Sequence, residues 1–179
     1  MKKNRLIIAY TLFALLTFIQ ANAQMEATWV LPQIEIPLTN GRDTLAVLKP
    51  RFSANAADLL VGSTVYHLKL RAAGYRCVIS RADNRSEVAL AKRLGQRAGT
   101  LSFSDGKSYE IVRTGKRGNY VYRWQDGSIK IENGLITATA STEPSSLLTQ
   151  GTLVFGYLQR QYEREKSGNT QFVPIVVSQ

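Results

Sequence analysis

Tyr120-Val-Tyr-Arg-Trp-Gln-Asp-Gly-Ser-Ile-Lys-Ile-Glu-Asn-Gly-Leu-Ile-Thr-Ala-Thr-Ala140 decides how the rest of the chain is read. Side chains of unlike character alternate over Tyr120 to Trp124 and again over Ser128 to Ile131, the period of two expected of strands with two different faces. Asp126-Gly127 and Asn133-Gly134 interrupt the alternation, and both dipeptides suit the positive φ of a tight hairpin turn. Three antiparallel strands joined by two hairpins are therefore predicted, the last running from Leu135 to Ala140. Tyr120, Tyr122 and Trp124 form one aromatic row with Val121 and Arg123 opposite. Packing across strands is the reading favoured for that row over a ligand platform.

The same grammar extends upstream. Ile34–Leu38 meets Thr44–Leu48 across Asn40-Gly41, and Thr100–Phe103 meets Ser108–Arg113 across Asp105-Gly106. Thr64–Leu70, Tyr75–Ser80 and Glu87–Leu94 continue it, with Tyr66, Leu68 and Leu70 on the apolar side of theirs and Val65, His67 and Lys69 opposite. Residues 50–63 give the least regular connection. Parallel crossovers need helical stretches between strands, and none is visible here. The expected class is mainly β: an antiparallel meander closing into a barrel or strongly curled sheet.

At Thr142-Glu143-Pro144 the pattern changes. Thr142 suits an N-cap, Glu143 the positive end of a helix dipole, and Pro144 a first turn. No charged side chain occurs from Pro144 to Gln159, and Leu147, Leu148, Gly151, Val154, Phe155, Leu158 and Tyr162 share a broad face. A helix over about 143–166 is predicted, apolar around much of its circumference and therefore covered on several sides. It is too short in apolar residues, and too rich in Ser, Thr and Gln, to span a membrane comfortably. Arg160, Glu163, Arg164, Glu165 and Lys166 are expected to lie in water. Phe172–Val177, broken by Pro174, reads as a sheet edge or a tail.

Residues 1–23 carry an address. Lys2, Lys3 and Arg5 precede an uncharged apolar run from Leu6 to Ile19, and Ala21-Asn22-Ala23 forms an A-x-A cleavage site. A secretory signal peptide cleaved after Ala23 is expected, leaving 24–179 as a single domain in the periplasm or outside the cell. The full chain is at +10; without the leader 20 basic residues face 13 acidic ones, a charge of +7. That field favours an anionic membrane surface or envelope polymer, or serves solubility alone. The exported address disfavours nucleic acid.

Catalytic signals are sparse. There is one histidine, His67, and one cysteine, Cys77, so neither a histidine-rich metal site nor a cysteine cluster can form. No metal or cofactor is expected, and no disulfide within the chain. Cys77 lies in a strand and reads as a small buried hydrophobe. No nucleophile elbow, P-loop or dinucleotide fingerprint occurs. Asp105 and Asp126 are explained as turn residues. Glu110 and Glu132 leave open a carboxylate-pair hydrolase, because such pairs are assembled in space. Basic residues form two groups: Arg71, Arg76, Arg81, Arg85, Lys92, Arg93 and Arg97, then Arg113, Lys116, Arg117 and Arg123. Lys116-Arg117, flanked by Gly115 and Gly118, marks a hairpin tip. Arg113, Lys116, Arg117 and Arg123 are the candidate contacts to an anionic ligand, and the non-enzymatic reading is preferred to the hydrolase.

Short hairpins followed by one apolar helix, with Ser104-Asp-Gly-Lys-Ser-Tyr-Glu-Ile-Val112 and Arg123-Trp-Gln-Asp-Gly127 as the quoted stretches, resemble the tubby C-terminal-like superfamily, which includes LURP-one-related and phospholipid-scramblase-like proteins. The resemblance implies a closed antiparallel barrel threaded by the helix from Pro144, and a lipid-binding or scramblase-type activity. No motif transfers residue by residue as a ligand site, and the chain continues beyond the helix to Gln179. The functional expectation is an exported envelope protein binding anionic lipid or polymer; the alternative is a structural or protein-interaction component of the cell envelope.

Overall fold

The computed structural model describes residues 34–40, 43–71, 76–116, 119–132 and 134–167. Residues 1–23, read as a signal peptide, Arg117 and the segment 172–177 lie outside these. Eleven strands pair in strict sequence order, each antiparallel to the next, forming a meander nearly closed into a barrel. They are β1 (Ile36–Asn40), β2 (Asp43–Arg51), β3 (Ala56–Val61), β4 (Thr64–Arg71), β5 (Arg76–Arg81), β6 (Glu87–Lys92), β7 (Ala98–Phe103), β8 (Ser108–Lys116), β9 (Asn119–Trp124), β10 (Gly127–Glu132) and β11 (Leu135–Ala140). A helix, α1 (Pro144–Lys166), follows them among the described residues.

Turn chemistry accounts for the register. Phe103 N donates to Lys107 O at 2.8 Å, closing a three-residue loop in which Gly106 adopts φ +91. Asp126-Gly127 marks its hairpin but sits one residue off the turn. Trp124 pairs with Gly127, so the loop is Gln125-Asp126. Gly127 serves close approach instead: a Cβ there would lie 2.5 Å from both Thr139 O and Trp124 Cζ2.

The connection expected at 50–63 is the main correction. A 3-10 turn at Phe52–Ala54 and the whole of β3 occupy it. Val61 pairs with Thr64 across Gly62-Ser63, a two-residue hairpin. Ala56, Ala57 and Asp58 are poor strand formers, and Leu59-Leu60-Val61 does not alternate, so local preference conceals a strand held by neighbours on both sides.

Inward positions alternate along each strand. Leu48, Leu59, Leu68, Ile79, Leu101, Tyr109, Tyr122, Ile129 and Ile131 are buried, with Ala46, Ala57, Ala89 and Ala91 between them. Those alanines leave room in the interior, and α1 fills it. Every helix residue from Ser146 to Gln159 is buried, so the helix is covered on all sides. The wall packs as close as Gly151, where a Cβ would meet Leu59 Cδ2 at 2.6 Å. Thr149 and Thr152 satisfy their hydroxyls on Ser145 O and Leu148 O, at 2.8 and 2.7 Å. No helix among the described residues is long and apolar enough to cross a membrane.

Thr142 is not the N-cap. Glu143 takes that position with extended backbone and no side-chain cap bond, because its carboxylate turns to Lys107 Nζ at 2.6 Å. The aromatic row is core at its inner end: Tyr122 and Trp124 are buried, and Trp124 Nε1 donates to Ser146 Oγ at 3.2 Å.

Cys77 is a buried hydrophobe, as read. Burial pushes its thiol up from an ordinary 9.0 to about 12, against a smaller opposing influence from the Lys69 backbone. Between those values the unfolded chain loses the proton and the folded chain keeps it, so stability should fall as pH rises through that window. Urea melts at stepped alkaline pH should show this slope, and Cys77→Ala should flatten it. An unchanged slope in the variant would remove Cys77 as its source. The native thiol should also resist alkylation at pH 8 and react only once unfolded.

Candidate functional site

Alternation carries one basic residue inward. On β8, Tyr109 and Ile111 point into the barrel, and Arg113 continues their row, partly buried, with its guanidinium 5.1 Å from the Tyr120 ring centroid. On α1, Tyr157, Arg160, Gln161 and Arg164 follow one another at helical spacing and come to one face at the helix's last turns. These residues, with Tyr120, Tyr122, Leu94 and Gly95, line a cavity of about 160 Å³ at the mouth of the barrel.

Charge in this cavity is one-sided. Among the described residues three guanidiniums line it and no carboxylate does. Among the described residues none of the three forms an ion pair. Arg160 Nη2 donates to Tyr122 Oη at 3.2 Å, while Nη1 is buried without any acceptor. Leaving a buried donor unpaired costs on the order of 1–3 kcal/mol, and more for a charged group. Gly95, at φ +86, backs the guanidinium so closely that a Cβ would lie 2.6 Å from Nη1. Tyr157 is buried, and that burial raises its phenol pKa; Tyr120 and Tyr122 add to the rise, while the Gln161 hydrogen bond and the Arg164 charge oppose it. Its hydroxyl therefore remains a neutral donor at ordinary pH.

The four basic residues singled out from sequence do not form one surface. Arg113 faces the interior. Arg123 faces outward, because Tyr122 and Trp124 on either side of it face in, and it pairs with outward Val112. Lys116 is exposed and pairs with Asn119, four residues or about 13 Å further along the ladder. Arg117 lies outside the described residues. Arg160 and Arg164 were assigned to a wet helix end; Arg164 is exposed, but Arg160 is held in the barrel mouth. The available signal was the spacing Tyr157, Arg160/Gln161, Arg164, which places one tyrosine and two arginines on one stripe.

Other candidates resolve differently. Glu110 lies six ladder positions, about 20 Å, from the row containing Glu132, so these two carboxylates do not converge. His67 Nδ1 lies 2.6 Å from Asp58 Oδ1, which also accepts from Arg51 Nη2 at 2.9 Å in a surface cluster. Asp126 does more than shape a turn. It accepts a hydrogen bond from Tyr109 Oη, whose oxygen also lies 3.0 Å from Ser145 Oγ. Lys107 Nζ sits 3.0 Å from the same Ser145 hydroxyl. That grouping resembles a serine–lysine nucleophile, but the Glu143 carboxylate drives the Lys107 pKa upward and keeps it an ammonium with no lone pair to accept a proton. Its evident work is to tie the start of α1 to the β7–β8 and β9–β10 loops. No cluster of potential metal ligands occurs among the described residues.

Comparison with protein-family models, characterised proteins and solved structures finds no match, so the site rests on its own geometry.

Proposed function

We propose that the chain is an exported, non-enzymatic envelope module that binds an anionic ligand, lipid headgroup or polymer, at the barrel mouth. One observation carries this reading: Arg113, Arg160 and Arg164 gather in a cavity that no carboxylate among the described residues lines. Like charges held side by side repel one another, and an anionic ligand relieves that repulsion. The interior offers no competing calyx, since α1 fills it. The positive field of the whole chain adds steering toward anionic surfaces, and an exported address brings it to them.

Vesicle sedimentation tests the reading. Contacts with an anionic surface are worth about 1 kcal/mol per basic residue, so three give on the order of 100-fold preference. The protein should pellet with phosphatidylglycerol vesicles at low salt, remain in the supernatant with phosphatidylcholine, and release as ionic strength rises. Equal recovery with both vesicles, together with no binding of a soluble anion, would end the proposal.

A further inference from the structure

We infer that the barrel-mouth cavity is a site for a phosphate monoester group, held between Arg113, Arg160 and Arg164 and the phenols of Tyr122 and Tyr157. This rests on the anionic-ligand reading above and narrows it to one chemistry.

Direction of approach is the first argument. Arg113 comes from the sheet, whereas Arg160 and Arg164 come from successive turns of the helix. Donors arriving from separate elements suit a tetrahedral oxyanion, which accepts hydrogen bonds all round its terminal oxygens. A planar carboxylate is met by one guanidinium fork. A diester has only two free oxygens and two bulky arms to accommodate. Size is the second argument. A cavity of about 160 Å³ that opens to solvent has room for a phosphate group. An alcohol carrying the phosphate would leave past exposed Arg164.

Preorganisation is the third argument. Arg160 is positioned by the Gly95 backbone on one side and the Tyr122 oxygen on the other, not by an acid that would neutralise it. Its Nη1 is buried against Gly95 and Gly156 with no acceptor among the described residues, so the guanidinium keeps its full charge at the back of the cavity. Tyr122 accepts from Nη2, so its own O–H is directed elsewhere and is free to donate to a ligand. The site therefore has charge, donors and a fixed frame before any ligand enters.

Calorimetric titration of the leaderless protein, 24–179, with inorganic phosphate and with glycerol 1-phosphate tests this. Both should bind saturably, while acetate at matched ionic strength should not. Arg160→Gln and Arg164→Gln should each weaken phosphate at least tenfold, and Arg123→Gln on the outer face should leave it unchanged. Arg164 is exposed, so its variant remains informative if Arg160→Gln melts early. Vesicles containing phosphatidic acid separate the sources. Displacement from them by phosphate assigns a lipid headgroup, and phosphate binding without vesicle binding assigns a soluble ester. Equal binding of acetate, or full phosphate affinity in both variants, overturns the inference. If phosphatidylglycerol vesicles pellet the protein but phosphate does not bind, the envelope reading survives and the cavity assignment falls.

Discussion

Phe155→Ala should lower the stability of the folded chain by about 3–5 kcal/mol, the usual cost of truncating a fully buried phenylalanine. Phe155 is 0% exposed and sits on a stretch of helix in which every neighbour is also buried. Two contributions add. The ring loses its transfer free energy, and the cavity it leaves cannot easily collapse, because the surrounding wall is fixed by a continuous series of hydrogen-bonded ladders. A loss of that size is a large share of the 5–15 kcal/mol by which domains are ordinarily stable. Urea denaturation should show a lower midpoint with an unchanged slope. A change below about 1 kcal/mol would mean that the helix is not the centre of this core.

Gly151→Val should also destabilise the fold, by less and for the opposite reason. A Cβ at this position would lie 2.6 and 2.9 Å from the two methyl carbons of Leu59 on β3. Overpacking of this kind costs about 1–3 kcal/mol. It should outweigh the gain from removing a helical glycine, which is at most about 1 kcal/mol and smaller for a β-branched residue. Leu59→Ala creates space at that contact, so the double variant should be more stable than the sum of the single losses predicts. Contacting residues couple by about 0.5–3 kcal/mol in such cycles. Additive losses would show that helix and strand do not meet there.

Much of this architecture is legible in local signals. Asp105-Gly106, Asp126-Gly127 and Asn133-Gly134 announce hairpins, and the uncharged run after Pro144 announces a helix covered on all sides. What escaped is what local preference does not determine. β3 is specified by its two partners more than by Ala56-Ala57-Asp58. The cap moved from Thr142 to Glu143 because Lys107, distant in sequence, claims the Glu143 carboxylate.

The candidate site was half legible. Alternation along β8 already separates Arg113, in step with Tyr109 and Ile111, from outward Arg123 on β9. Arg160 was not legible, because its burial depends on where the helix leaves the barrel and on Gly95 closing over it. A charged residue at the end of an amphipathic run reads as solvated unless its tertiary surroundings are known. Such assignments fail where long-range closure sets the environment.

The order of elements along the chain has a consequence for biosynthesis. Each strand pairs only with the one before and the one after it, so hairpins can zip locally as the polypeptide emerges. The filling follows the entire wall, since residues 146–159 come after all eleven strands. A nascent chain that ends before them is a hollow ribbon with its inward leucines and isoleucines unsupported. All-or-none folding must therefore wait for the helix to be translated.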